Sequence, residues 1–255
     1  MEPEEVTAEI LCEVDQGVAT ITLRRPETLN AFTPTMTLAL DEALAAMEQS
    51  DDVRCVIVTG AGRGFSAGGD LKAMKARVAA PQTTALGPRI DSLRRSAQIF
   101  RRLHDMAKPT IAMINGPCAG MAMSLVGACD LRFAGTSAVL TAAYMNLGLA
   151  GDCGGSWYWT QILGTAKARR LLLMCEKFGA DAARDFGLVH EVWPDDELHG
   201  RTMAIASAMA ARTPSAMRYA KEALAAAESG TIDQQLSLEA MIHALSGFDR
   251  PKRES

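Results

Sequence analysis

Two segments place the tightest limit on the fold of this chain. "CVIVTGAGRGFSAGG" (Cys55–Gly69) and "TIAMINGPCAGMAM" (Thr110–Met123) each open as an apolar, β-branched strand, turn through glycines and run toward a helix-forming stretch. Repeated units of strand, glycine turn and helix predict an α/β protein. The segments around them agree. "EILCEVDQGVATITLRR" reads as two strands about an Asp-Gln-Gly turn, with alternating side chains in the second. "TPTMTLALDEALAAMEQSDD" reads as a helix capped by Thr33, with Met36, Leu38, Leu40, Leu44 and Met47 as its apolar positions. "RVAAPQTTALGP" reads as a mobile loop, and "IDSLRRSAQIFRRLHDM" as an amphipathic helix using Leu93, Ile99 and Leu103. After Ser156 the pattern turns helical, with a break at Gly179 and a short strand-like run at "LVHEVW". The expected division is a core over residues 1–195 and a helical region over 196–255.

The bulk numbers narrow the function classes. A chain of 255 residues, 48% hydrophobic, has enough apolar material for one large core. Its net charge of −4 gives no basic field for nucleic acid. No stretch has the uncharged apolar length of a membrane span. The acidic start "MEPEEVTAEI" does not read as a secretory leader. The six cysteines share no CxxC spacing, so a reducing compartment, the cytoplasm, is expected. His190, His199 and His243 form no compact ligand motif, and no metal is expected.

The first glycine cluster has three candidate ligands. A nucleotide triphosphate needs a Lys-Ser or Lys-Thr pair after the final glycine, and Lys72 comes too late. A dinucleotide is allowed by the looser GxGxxA spacing from Gly62 to Ala67, but no second strand ending in an acid follows at the required distance. The third candidate is the oxygen of a carbonyl. Glycine lets the backbone approach a ligand closely, and amides ahead of a helix hold developing negative charge. Asp70 would then cap a helix starting at Leu71. The second glycine loop offers another amide for the same oxygen.

Four motifs in order, "RRPETLNAF", "GRGFSAGGDL", "KPTIAMINGPCAGMAMSLVGACDLRFA" and "LGLAGDCGGSWYWTQILG", resemble the crotonase, or enoyl-CoA hydratase/isomerase, family. The resemblance runs from about Ile10 to Leu245. It implies a spiral of repeated ββα units with a C-terminal helical region that assembles homotrimers or homohexamers. It also implies an acyl-coenzyme A thioester as substrate, without a prosthetic group. By position, Gly69 and Met121 supply the two oxyanion N–H groups, with Met121 standing where glycine is common. Ser66, Ala67 and Gly68 match the backbone around the adenine, Arg24 lies in a loop that approaches the cofactor, and Asp70 closes the same set. The family's further C-terminal helix, with a phenylalanine and a lysine on coenzyme A, is replaced by "SGFDRPKRES", where Phe248, Arg250 and Lys252 carry similar groups.

The resemblance departs at the chemistry. Two-glutamate hydratases carry carboxylates at the positions of Ser124 and Tyr144. Neither residue here is an acid. Asp152 matches an aspartate found in isomerases and dehalogenases of the family. Held over a thioester whose enolate oxygen is bound by two amides, one carboxylate can take a proton at one carbon and return it at another. Partial burial among Trp157, Tyr158 and Trp159 would aid that role. The competing reading of Asp152 is a cap for the helix from Gly154 onward. Tyr144 lines the acyl pocket, donates a hydroxyl or simply packs. Trp157 and Trp159 either shape the pocket or pack against the helical region. Asp130 reads as an organiser of buried hydrogen bonds, and His104 as a surface residue. Double-bond isomerisation is the leading expectation. Hydration, thioester hydrolysis or dehalogenation, and non-catalytic acyl-CoA binding remain as alternatives.

Overall fold

The computed structural model describes residues 9–70 and 86–248. The chain enters as a hairpin of β1 (Ile10–Asp15) and β2 (Val18–Leu23), paired from Ile10–Leu23 to Asp15–Val18. Its two-residue turn, Gln16 and Gly17, has positive φ at both positions, which matches the right-handed twist of the strands. A 3-10 turn at Pro26–Thr28 precedes α1 (Pro34–Gln49). The Thr33 side chain caps this helix, accepting from Met36 N at 2.9 Å. Met36, Leu40 and Leu44 share the buried face. Leu38 does not: two positions on from Met36, it turns to solvent and is 61% exposed.

β3 (Cys55–Gly60) is buried at every position and lies parallel to β2. The expected irregular stretch "RVAAPQTTALGP" falls outside the described residues up to Ala85, while Leu86–Pro88 already belong to α2 (Leu86–Asp105). Residues 86–95 of that helix are exposed throughout, Leu93 among them, and only its later turns bury Ile99, Phe100 and Leu103. β4 (Thr110–Ile114), β5 (Cys118–Ala119), α3 (Met121–Ala128), β6 (Leu131–Gly135) and β7 (Val139–Thr141) form the second unit. A 3-10 turn at Met145–Leu147 leads to α4 (Gly155–Met174). This helix breaks at Gly164, whose φ of 73° and ψ of 165° favour glycine, a kink additional to the expected break near Gly179. β8 (Phe178–Gly179), α5 (Ala180–Phe186), β9 (Glu191–Trp193), α6 (Asp195–Ala210), α7 (Pro214–Ala227) and α8 (Ile232–Phe248) complete the order.

The strands form two sheets, β1-β2-β3-β4-β6-β9 and β5-β7-β8. From β2 onward the larger sheet is parallel. Parallel neighbours require crossovers, and those crossovers carry helices that bury the sheet. On one face, α6 lays Leu198, Ala206 and Ala210 against Val18, Cys55, Ile57 and Ile111. On the other, α1, α3 and the last turns of α2 close the main core with Leu23, Val56, Val58 and Ile114. The architecture is thus α/β, with repeated strand and helix units and a C-terminal helical region.

Asp130 ties the C-terminal helices to this core. Its Oδ2 accepts from Thr110 N at 2.7 Å, from Thr110 Oγ1 at 2.9 Å and from Lys221 Nζ of α7 at 2.7 Å. That is the organising role its helix–strand junction predicts. His104 departs from its expected surface position. It is partly buried between the Trp157 and Tyr158 rings, each at 5.3 Å, with Nε2 3.2 Å from Glu228 Oε2. Among the described residues, no helix is long and apolar enough to cross a membrane.

Candidate active site

The first glycine loop takes its shape from two asparagines that the motifs do not single out. Asn30 is fully buried and sends Nδ2 to the carbonyls of Ala61, Gly64 and Phe65 at 2.9, 2.8 and 3.2 Å. Asn115 Nδ2 donates to Gly60 O and Gly62 O at 2.8 and 2.9 Å, while its Oδ1 accepts from Gly60 N at 3.2 Å. A chain that turns this tightly leaves carbonyls without strand partners, and a side-chain amide supplies donors where none exist on the backbone. Asn30 has φ of 54°, and asparagine is the residue other than glycine that best tolerates that region.

The two glycine loops are joined to one another. Phe65 N and Ser66 N both donate to Pro117 O at 3.1 Å, and Ala119 N donates to Ser66 O at 3.0 Å. Ser66 is fully buried, and its Oγ bridges the loop by donating to Asn30 O at 2.7 Å and accepting from Gly68 N at 3.1 Å. Ala67 is exposed, while Gly68 is buried. A Cβ on Gly68 would stand 2.5 Å from Ala119 O and 3.1 Å from Met121 N. Glycine here lets the first loop touch the start of α3.

The amides flanking this contact face outward from their own partners. Phe32 N donates to Gly68 O at 2.7 Å, and Phe32 O accepts from Asp70 N at 3.1 Å. In that parallel bridge the intervening residue, Gly69, directs its own N–H away from Phe32. Met121 is the first residue of α3, so its N–H has no partner within the helix. Its side chain packs against the core.

Ser124 lies one turn along α3 from Met121. Its Oγ donates to Asp152 O at 3.0 Å and lies 3.3 Å from Tyr144 Oη. Tyr144 Oη donates to Asp152 Oδ1 at 2.9 Å. Ser124, Tyr144 and Asp152 therefore meet in a single cluster. Burial, followed by the Asp152 carboxylate, pushes the Tyr144 phenol well above its ordinary range, so it stays protonated and donates. Burial and Asp152 push the neighbouring Cys153 thiol up in the same way.

Two expectations for Asp152 are corrected. Its side chain does not cap α4, which begins after Gly154 with no side-chain cap. Only its backbone carbonyl serves the turn, accepting from Gly155 N at 3.1 Å. It is also exposed rather than buried among the aromatic residues. Trp157 lies edge-on to His104, at the seam of α2 and α4. Trp159 is buried against α3, where a Cβ on Gly127 would come within 3.3 Å of its ring. That side of α3 is a packing surface for it.

At the loop entrance, Arg24 is exposed and its backbone N donates to Glu9 O at 2.8 Å. Arg25 makes the ion pairs, with Nε 3.2 Å from Glu9 Oε1 and Nη1 3.2 Å from Asp70 Oδ2. The helix that Asp70 was expected to cap lies outside the described residues. Among the described residues, no three His, Cys, Asp or Glu side chains gather as a metal site.

The parallel α/β scaffold with its repeated strand and helix units is that of an acyl-CoA enzyme of the crotonase superfamily. The chain belongs to the enoyl-CoA hydratase/isomerase family, whose profile matches residues 13–251. It is 36% identical over 245 residues to the 1,2-epoxyphenylacetyl-CoA isomerase of Escherichia coli (strain K12), covering 96% of this chain and 92% of that protein. It is 33% identical over 224 residues to 4-chlorobenzoyl coenzyme A dehalogenase-2 of an Arthrobacter species, covering 88% and 80%. Its fold is similar to the crystal structure of an enoyl-CoA hydratase from Polaromonas sp. JS666, with a TM-score of 0.85, 33% identity and coverage of 93% and 91%.

Proposed function

We propose that the chain moves the double bond of an enoyl-CoA thioester, with Asp152 as the single acid/base. The observation that carries this reading is the 2.9 Å bond from Tyr144 Oη to Asp152 Oδ1. It brings Asp152, the one carboxylate of the cluster, against Tyr144, which stands where the family resemblance expects a glutamate. The thioester oxygen sits between the N–H groups of Gly69 and Met121, with the adenine near Ser66, Ala67 and Gly68 and with Arg24 at the entrance. Asp152 takes the proton from C2, and the electron pair moves into a dienolate held by the two amides. The same carboxyl group then returns the proton at C4. No water or second carboxylate is consumed.

Hydration, with Asp152 positioning the water, is the second reading, and no other carboxylate of the cluster shares its two proton transfers. The hydroxyl hydrogens of Ser124 and Tyr144 are already given to Asp152 O and Oδ1. The isomerase named among the relatives agrees with a mass-neutral reaction. Ser124, Tyr144 and Trp157 are the proposed pocket side chains. Residues 196–255 are the proposed oligomerisation region of a trimer or hexamer, supported by exposed Leu224, Ile232, Leu236 and Met241 on α7 and α8.

Incubation with a panel of enoyl- and aryl-CoA thioesters, read by mass spectrometry with chromatographic separation of isomers, tests the reading. A product of unchanged mass and new retention is expected. Gain of water would favour a hydratase, and loss of coenzyme A or chloride would favour a hydrolase or dehalogenase. No turnover with tight binding would favour a non-catalytic binder.

A further inference from the structure

Asp152 is exposed on a turn, where a carboxylate ordinarily samples several rotamers. Here it is held from several sides. Cys153 and Gly154 adopt φ of 55° and 79°, and Gly155 N closes the turn on Asp152 O at 3.1 Å. Ser124 Oγ fixes the same carbonyl at 3.0 Å. Tyr144 Oη, on a ring that is only 7% exposed, holds Oδ1 at 2.9 Å. The backbone that carries the ring is held in turn, because Tyr144 O accepts from Leu147 N at 3.0 Å and from Leu149 N at 3.1 Å.

Resting on Asp152 as the acid/base, we infer that Tyr144 is a positioning residue that aims the Asp152 carboxylate through the Oη–Oδ1 bond, with Ser124 fixing the backbone behind it. An exposed carboxylate does not need this bond to be solvated. What the bond adds is direction, since it selects one rotamer and one carboxyl plane. A carboxylate that is already aimed loses less freedom on reaching the transition state. The phenol suits this task because burial and the neighbouring negative charge keep it a donor. A tyrosine at a glutamate position thus works through the acid instead of replacing it.

The test is a double-mutant cycle on the thioester that the panel identifies. Tyr144→Phe removes one oxygen and keeps the ring. It should lower kcat by about tenfold, the scale for losing a hydrogen bond to a charged group, and leave KM within about twofold. Asp152→Asn should lower kcat by roughly 100-fold or more. The double variant should be no slower than Asp152→Asn, because Tyr144 acts only through Asp152. Equal kcat for Tyr144→Phe and the parent, or a full further loss in the double variant, would overturn positioning while leaving Asp152 as the base. Full turnover by Asp152→Asn would overturn the acid/base reading itself, and positioning with it.

A second readout needs no turnover. A fluorinated tyrosine at position 144, with a phenol that titrates near neutrality, reports its ionisation by fluorine NMR. Asp152→Asn should move that midpoint to lower pH, because it removes the negative charge that opposes phenolate formation. An unmoved midpoint would show that the two side chains do not meet in solution and would overturn the inference.

Discussion

Gly68 rests against Ala119, and the contact admits no side chain: a Cβ on Gly68 would lie 2.5 Å from Ala119 O. The φ of Gly68 is 84°, so an added methyl group is opposed by backbone conformation as well as by space. Gly68→Ala is expected to separate the two loops and misplace both amides. Stability should fall by about 1–3 kcal/mol in denaturant titrations. kcat/KM should fall further than stability alone explains, by about 100-fold, since a misplacement near 1 Å carries that cost. Wild-type turnover in the folded variant would show that the loop contact does not set the site.

Asn30 holds the same loop from within. Asn30→Ala would leave the carbonyls of Ala61, Gly64 and Phe65 without their shared donor. Each buried carbonyl left unpaired costs about 1–3 kcal/mol, and water admitted to the gap recovers part of that. A net destabilisation of about 2–4 kcal/mol is expected from urea unfolding. A change within about 0.5 kcal/mol, the range of ordinary surface substitutions, would mean that the loop holds itself.

Met121→Pro removes one backbone donor at the first position of a helix, where proline is tolerated. Thermal stability should fall only by the packing that the partly buried Met121 side chain contributes, about 1–2 kcal/mol. Transition-state stabilisation should fall by about 3 kcal/mol, the scale for losing one oxyanion donor. The measurement is kcat/KM beside a melting curve. An unchanged kcat/KM in a folded variant would remove Met121 from the proposed pair.

Asp152→Asn separates chemistry from architecture. α4 receives no cap from the Asp152 side chain, so stability should stay within about 0.5 kcal/mol. Turnover should fall by roughly 100-fold or more, and exchange of solvent deuterium into the α or γ carbon of the substrate should fall with it. Coenzyme A thioester affinity, read by calorimetry, should hold. Retained exchange with loss of affinity would instead make Asp152 a binding residue.

Much of this fold is legible in the residues because it is written in short range. The β-branched runs at Cys55–Gly60 and Thr110–Ile114 are buried strands, and Thr33 caps α1, because strand burial and helix capping depend on neighbours a few positions away. The motif order carries the family, and with it the two glycine loops and Asp152. Other features required the folded chain. Leu38 and Leu93 are apolar, yet each turns to solvent, because periodicity does not say which turns of a helix meet a sheet. His104 looks like a surface residue beside arginines until α4 and α7 bring Trp157, Tyr158 and Glu228 to it. Asn30 and Asn115 organise loops 31 and 55 residues away along the chain, a role that no local spacing encodes. The sequence by itself determined that Asp152 is the only acid between Asp130 and Glu176. Tertiary structure alone decided that Ser124, Tyr144 and Asp152 meet. A hydrogen bond depends on distances of about 3 Å between atoms whose separation along the chain carries no information.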